Sequence, residues 1–189
     1  MCAYRLTCYL AGGTPTGALR SQSGCRNARP PLRAIGHEID GGVYFATKSA
    51  IWYGGRAFYD PALPGTAAAR AYLITSAQFA DIAAQEMYRR PGNDIDLGPV
   101  LATGRLELGP GRYETLLHLG DLEGHPLLTI TAPWHAADVP WTAPSAAYLR
   151  VLATGLREAH GWNTLQAACY LANLPGARGY WTPADIAAL

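Results

Sequence analysis

The chain has 189 residues, of which 49% are hydrophobic and 15% are charged, so it can bury a substantial core and is not expected to be disordered. Its formal net charge is +1, and its 14 arginines and single lysine form no basic run. This balance gives no electrostatic reason to expect nucleic acid or an anionic membrane surface as a partner. We expect one domain over residues 1–189.

The targeting and cysteine patterns predict a cytoplasmic protein. No stretch of 18 apolar residues is present, and residues 1–10 lack the uninterrupted apolar segment of a signal peptide. The four cysteines have no C-x-x-C spacing, and the five histidines fit neither H-x-x-x-H nor H-E-x-x-H. The sequence therefore predicts no zinc site and no disulfide scaffold.

Strands are predicted mainly in the first part of the chain. The first is predicted at residues 6–10, and a glycine-rich turn and a polar loop follow it. The next four strands are predicted at residues 34–39, 43–46, 56–59 and 69–74. The 21 glycines and 14 prolines make up about a fifth of the chain and favour many short elements over a helical bundle.

A helix is predicted at residues 75–89, because Thr75 and Gln78 form a capping-box pattern and apolar residues recur every three or four positions. Two more strands are predicted at residues 112–119 and 126–131. The last helices are predicted from the N-cap Ser145 to Gly161, at residues 164–173 and from Pro183. This order predicts an α+β fold with one helix inserted among the strands.

Glu86 is a carboxylate on the face of the predicted helix that should be apolar, since it lies seven residues after Phe79 and four after Ile82. Burying an ionised carboxylate without partners costs several kcal/mol, so such a group stays protonated or finds donors. A carboxyl group in a pocket from which water is partly excluded is suited to proton-transfer catalysis. The alternative is a last-turn glutamate that reaches into solvent and pairs with Arg89 or Arg90.

The glycine-rich turn at residues 12–17 has the G-x-x-x-x-G spacing that opens a phosphate-binding loop. Ala18 and Leu19 stand where a nucleotide site needs a lysine and a hydroxyl group, so nucleotide hydrolysis is rejected. The backbone N–H groups of the turn can still bind a carboxylate or an oxyanion. The alternative is a plain connection between two elements.

Two further segments carry residues that could shape a pocket. Trp52 stands two residues before Gly54 and Gly55, and glycines that open a strand permit a bulge or the close approach of a ligand. The tryptophan could wall a pocket or fill the core. Tyr113, at the start of a predicted strand, is a candidate for a hydroxyl group that points at a site.

In this order, these segments resemble the gamma-glutamylcyclotransferase superfamily, which includes the AIG2-like proteins. The family's F-x-x-x-S-x-x-W-x-G-G-x-A segment is matched by Phe45, Ser49, Trp52, Gly54, Gly55 and Ala57. Its catalytic glutamate at a helix end is matched by Glu86, its strand-opening tyrosine by Tyr113, and its S-x-x-Y helix by Ser145 and Tyr148. Its Y-G-S-N loop after the first strand is replaced here by Tyr9-Leu10-Ala11-Gly12-Gly13-Thr14.

The resemblance implies both a fold and a reaction. The fold would be a small mixed β-barrel or sheet with one helix inserted mid-sheet and helices at the C-terminus. The reaction would release 5-oxoproline from a small γ-glutamyl substrate, with Glu86 as general acid/base, without cofactor or metal, in a monomer or homodimer. The resemblance assigns substrate binding to Tyr9, Ala11, Gly12, Gly13, Thr14, Trp52, Gly54, Gly55 and Tyr113.

Within the superfamily, residues 9–13, 84–87 and 109–115 look like an actinobacterial subgroup whose members often carry the label "histone deacetylase". The chain lacks the Asp and His ligands that zinc-dependent deacetylation uses. Because the side chains of the Y-G-S-N loop are replaced, two alternatives stay open. One is an enzyme of the same fold that acts on another amide in specialised metabolism, and the other is a non-catalytic module that binds a small molecule.

Overall fold

The computed structural model describes residues 1–189 and has an α+β fold of six helices and seven strands. The helices are α1 (Ala3–Ala11), α2 (Ser76–Glu86), α3 (Gly98–Thr103), α4 (Ala146–His160), α5 (Thr164–Asn173) and α6 (Pro183–Ala187). The strands are β1 (Arg33–Asp40), β2 (Gly42–Lys48), β3 (Gly55–Asp60), β4 (Thr66–Leu73), β5 (Arg105–Glu107), β6 (Thr115–Leu122) and β7 (His125–Thr131). The predicted α+β class is therefore confirmed.

All strand pairs are antiparallel, and they form three separate sheets. β1 pairs with β4, from Arg33 opposite Leu73 to Asp40 opposite Thr66. The β2–β3 hairpin lies between these two strands in sequence, and β5, β6 and β7 form the third sheet in chain order. No hydrogen-bond ladder joins one sheet to the next, so the strands do not close into a barrel. Helix α2 connects two sheets.

The strand predicted at residues 6–10 is wrong, because these residues lie in the helix α1. A short apolar run is compatible with either element, so distant contacts decide between them. The backbone N–H of Ala3 donates to Oε2 of Glu158 on α4 at 2.7 Å. This carboxylate satisfies an unpaired donor at the N-terminus of α1 and interacts favourably with the helix dipole. The buried face of α1 then packs on α2.

Sequence reasoning also misplaced the elements that follow α2. It missed the short helix α3, the three-residue strand β5 and a 3-10 helix at Ala136–Asp138. The strand predicted from residue 112 begins only at Thr115 in β6. Tyr113 has a φ of 60°, a left-handed conformation that interrupts an extended chain.

Helix α4 packs against the β1–β4 sheet. The largest apolar cluster joins Phe45 of β2 and Trp52 to α4, α5 and α6. Ser145 caps α4 by accepting the N–H of Tyr148 at 3.3 Å, and Gly161 ends it in a left-handed conformation, both as predicted. None of the six helices combines the length and apolar character needed to cross a membrane.

Candidate functional site

A cavity of about 600 Å³ lies between the β1–β4 pair, β7, α2 and α4, and most of its wall is apolar. Its charged residues are Arg5, Arg33, Arg70, Glu86 and Glu123. Arg33 pairs with Glu123 and Arg70 pairs with Glu158, whereas Arg5 pairs with Glu86. A concave apolar site of this size with a few converging polar groups is typical of small-molecule binding.

Glu86 ends α2 and lines the cavity, with 17% of its side chain exposed. Its Oε1 accepts one hydrogen bond from the hydroxyl of Tyr9 and one from Nη2 of Arg5 at 3.4 Å. Its Oε2 accepts no hydrogen bond from the protein and is not fully buried. One carboxylate oxygen is therefore held by the protein and the other is free.

The end of α2 decides which arginine pairs with Glu86. The capping box of Thr75 and Gln78 forms as predicted and fixes the start of the helix. Past its end, Tyr88 has a φ of 58°, so the chain changes direction before the two following arginines. Arg89 pairs with Glu114. The alternative in which Glu86 reaches into solvent to pair with Arg89 or Arg90 is wrong.

Arg5 lies on α1 with 10% of its side chain exposed. Its guanidinium carbon is 5.5, 5.6 and 5.5 Å from the ring centroids of Tyr9, Trp52 and Tyr148. Aromatic ring faces at such distances attract a cation, and they compensate part of its lost hydration. Nη2 also donates to the hydroxyl of Tyr9 at 3.1 Å. The three aromatic rings and Glu86 together hold a buried positive charge.

Tyr9 connects the two charged groups, since its hydroxyl accepts from Arg5 and donates to Glu86. Burial raises the pKa of Tyr9 well above its usual value; the charge of Arg5 opposes this shift, and Glu86 adds to it. The hydroxyl therefore keeps its proton at neutral pH and remains a donor to the carboxylate.

Tyr113 lines the cavity and brings a second predicted residue to the site. Its ring stacks on Phe58 with centroids 4.7 Å apart, and its hydroxyl donates to the carbonyl of Ala57 at 2.8 Å. Burial raises the pKa of Tyr113 well above its usual value, and Tyr148 and Glu86 contribute. Its left-handed backbone conformation directs the ring inward at a cost of about 1–3 kcal/mol.

Trp52 is buried and stacks on Tyr148, with ring centroids 5.2 Å apart, behind the guanidinium of Arg5. It supports the site without lining the cavity. Gly54 and Gly55 serve chain packing: an added Cβ at Gly55 would lie 1.9 Å from the carbonyl oxygen of Thr142. The close approach that these glycines permit is therefore to the segment before α4.

The predicted loop at Ala11, Gly12, Gly13 and Thr14 does not line the cavity. Gly12 ends α1, and Gly13 exchanges two backbone hydrogen bonds with Gln22, at 3.1 and 2.8 Å. The carbonyl of Thr14 accepts from the hydroxyl of Tyr4 at 3.3 Å. Of the segment from Tyr9 to Thr14, only Tyr9 reaches Glu86, and it does so through its side chain.

Sequence reasoning missed Arg5 as a site residue. Arg5 and Tyr9 stand four residues apart, a spacing that places them on one face of a helix. An arginine among buried apolar residues was the available signal, but the strand prediction for residues 6–10 obscured it. Tyr148 was not among the predicted site residues, and it lines the cavity beside Arg5.

The arrangement of Glu86, Tyr9 and Arg5 is suited to proton transfer. No group of three or more His, Cys, Asp or Glu side chains is placed to hold a metal ion. The free Oε2 of Glu86 is an acceptor that can take a proton from an amine, while Oε1 is held by Tyr9 and Arg5. The apolar wall excludes water from a bound ligand and strengthens these electrostatic interactions.

No family model matches the chain, and no curated protein or solved structure matches it significantly.

Proposed function

We propose that the protein is a cofactor-free enzyme of the gamma-glutamylcyclotransferase type, which cleaves a γ-glutamyl amide and releases 5-oxoproline. The observation that carries the proposal is the carboxylate of Glu86, which lines an apolar cavity with one oxygen held by Tyr9 and Arg5 and the other free. The resemblance of the sequence to that superfamily supports the same role for this residue.

In the proposed reaction, Oε2 of Glu86 takes a proton from the α-amine of the substrate. The amine nitrogen attacks the γ-carbonyl carbon of the same molecule, so that a new C–N bond closes the five-membered ring. The original amide C–N bond then breaks, and Glu86 returns the proton to the leaving amine. Because the attack is intramolecular, the protein mainly has to fold the substrate and move the proton.

Tyr9 and Tyr113 have supporting roles in this proposal. Tyr9 fixes Oε1 of Glu86 and leaves Oε2 as the oxygen that is free to take the proton. Tyr113 forms part of the wall near Glu86 and keeps solvent from the reacting groups. The exposed loop at Ala11–Thr14 has no role in this form of the mechanism, because it does not line the cavity.

The experiment that tests the proposal is a product assay with γ-glutamyl amino acids and γ-glutamyl amines, followed by mass spectrometry for 5-oxoproline. We expect release by the wild type and a loss of about 10²- to 10⁴-fold in the Glu86→Gln variant, the usual contribution of an acid/base group. Glu107→Gln is the matched control, because that glutamate is exposed in β5. Full turnover by Glu86→Gln would rule out the proposed role.

The position of the loop at Ala11–Thr14 favours a second candidate function. If the oxyanion of the cyclisation requires backbone donors from that loop, the cavity serves a different amide or only binds a ligand. Stable binding of a γ-glutamyl compound without any product would favour the binding module. Cleavage of another amide that depends on Glu86 would favour the other enzyme.

A further inference from the structure

The guanidinium of Arg5 has donors that the protein leaves unused. Both hydrogen bonds of the Arg5 side chain, to Tyr9 and Glu86, come from Nη2. Nε is buried without a partner, and Nη1 makes no hydrogen bond. An unpaired buried donor is costly, and a charged one more so. A buried arginine that lines a cavity with free donors is therefore suited to an anionic ligand.

The aromatic rings define how a ligand can reach this cation. Three ring centroids lie within 5.6 Å of the guanidinium carbon. The rings attract the guanidinium group through their faces and do not occupy its N–H hydrogens. A carboxylate, by contrast, accepts hydrogen bonds from those hydrogens. A carboxylate oxygen is an acceptor that matches Nη1, the free donor of Arg5 that is not fully buried.

The charge balance of the site changes during the proposed reaction. Arg5 is compensated by Glu86 when the carboxylate is ionised. Once Glu86 accepts the amine proton, Arg5 has no negative partner among the side chains that contact it. A carboxylate on the substrate would restore the balance at that step.

We infer that Arg5 binds the α-carboxylate of the substrate, an assignment that rests on the proposed function. The site thus recognises the amino-acid end of a γ-glutamyl compound through two opposite charges, with the amine at Glu86 and the carboxylate at Arg5. The amine that leaves occupies the apolar remainder of the cavity, along β4 and β7.

Two other arginines line the cavity and are the competing candidates. Arg70 also has a buried Nε without a partner, but its Nη1 pairs with Glu158 and it makes no contact with Glu86. Arg33 pairs with Glu123, and 58% of its side chain is exposed. Only Arg5 combines free donors with contact to Glu86.

Binding of a compound that cannot react separates this inference from the reaction itself. Glutaric acid mono-benzylamide keeps the carboxylate and the γ-amide of a γ-glutamyl benzylamide but lacks the α-amine, so it cannot cyclise. Its methyl ester has a similar shape without the charge. In calorimetry, we expect the acid to bind more tightly than the ester to the wild type, and about 10- to 100-fold more tightly to Glu86→Gln, in which Arg5 has no counter-charge.

Variants test which arginine causes the preference for the acid over the ester. Arg5→Gln should remove the preference for the acid, whereas Arg33→Gln and Arg70→Gln should leave it within about threefold of the wild type. Because Arg5→Gln leaves Glu86 without its counter-charge, the double variant Arg5→Gln/Glu86→Gln keeps the site neutral and gives the same test if the single variant fails to fold. The comparison of acid and ester on the wild type needs no variant.

The outcomes are distinct from those of the product assay. Binding of the acid through Arg5 without any 5-oxoproline release would uphold the inference and refute the proposed reaction. Equal binding of acid and ester, no binding of either, or a preference lost in Arg70→Gln instead would overturn the inference. A role for Arg5 in stabilising only the developing oxyanion would lower kcat and leave acid binding unchanged, which would also overturn it.

Discussion

At the residue scale, the contact between Tyr9 and Glu86 links two segments that are 77 positions apart in sequence. The hydroxyl of Tyr9 is buried and keeps its proton, because burial raises its pKa. A hydrogen bond from a neutral donor to a buried carboxylate contributes more to stability than one between neutral groups. The contact therefore stabilises the packing of α1 on α2 as well as orienting the carboxylate.

The Tyr9→Phe variant should lower the free energy of unfolding by about 1–3 kcal/mol, since the ring stays while the hydroxyl that donates to Glu86 and accepts from Arg5 is lost. Urea unfolding of Tyr9→Phe, Glu86→Gln and the double variant measures the coupling between the two groups. Tyr72→Phe is the matched control: its hydroxyl donates to the neutral carbonyl of Met1 at 2.8 Å. We expect that control to cost about 0.5–1.5 kcal/mol. Purely additive effects of the Tyr9 and Glu86 changes would contradict this account.

At the element scale, the glycine pair that opens β3 positions the segment before α4. A Cβ added at Gly54 would lie 2.4 Å from the backbone nitrogen of Ser145. A Cβ added at Gly55 would lie 1.9 Å from the carbonyl oxygen of Thr142. Both contacts are with backbone atoms, which cannot rotate away as a side chain can. The glycines let β3 and the N-cap of α4 pack together, and this packing places Tyr148 beside Arg5.

The Gly55→Ala variant should accordingly lose about 1–3 kcal/mol of stability through overpacking, measured by urea unfolding. Gly98→Ala is the control, because Gly98 is exposed at the start of α3 and an added Cβ meets only the end of the Asp96 side chain. That variant should stay within about 0.5 kcal/mol of the wild type. Unchanged stability of Gly55→Ala together with weaker ligand binding would show instead that the glycine admits a ligand.

Prediction of the elements from sequence succeeded where local signals were strong. The capping box at Thr75, the N-cap at Ser145 and the glycine at Gly161 each satisfy helix ends with nearby groups, so the sequence alone locates them. The helix α1 has no side-chain cap of its own, and a glutamate 155 positions away accepts its N-terminal hydrogen bond. Local patterns carry no information about such a partner.

At the scale of the whole molecule, two buried aspartates bind distant segments together. Asp60 accepts the backbone N–H of Ala136 at 2.7 Å and contacts Nδ1 of His135 at 3.0 Å. Asp81 accepts the backbone N–H of Arg26 at 2.8 Å and its Nε at 3.0 Å. Asp60 thus fixes the segment at His135 and Ala136 to the end of β3, and Asp81 fixes the loop at Arg26 to α2.

The pKa values of both aspartates lie below their usual value. Burial by itself raises the pKa of Asp60, but the hydrogen bonds from Ala136 and His135 outweigh it. Burial likewise raises the pKa of Asp81, and the hydrogen bonds from Arg26 outweigh it. A carboxylate with a folded pKa below its unfolded value of about 3.9 stabilises the fold above that pH. The stabilisation is lost as the pH falls through the folded pKa.

We expect Asp60→Asn to lower the free energy of unfolding by about 1–3 kcal/mol at pH 7, and the difference from the wild type to shrink as the pH falls from about 5 toward 2. Urea unfolding at a series of pH values measures this difference. Asp121→Asn is the control, because 67% of the Asp121 side chain is exposed, and its effect should be small. A difference that stays constant down to pH 2 would exclude Asp60 as a source of acid sensitivity.

The candidate site shows the same division between local and distant information. Glu86 could be singled out from the sequence as a carboxylate on an apolar helix face, and Tyr113 as a tyrosine at the start of a predicted strand. The partners of Glu86 could not, since Arg5 and Tyr9 come from another helix. The loop at Ala11–Thr14 was placed at the site by motif position, and the structure places it outside the cavity.

By itself, the sequence determined the α+β class, most strands, the bounds of α4 and the position of Glu86 on α2, whose end it placed three residues too late. These features depend on hydrophobic periodicity and on caps within a few residues of each other. Only the tertiary structure decided that α1 is a helix, that the strands form three sheets, and that Arg5 and not Arg89 pairs with Glu86. These features depend on contacts between residues far apart in the chain, whose free energies no local pattern records.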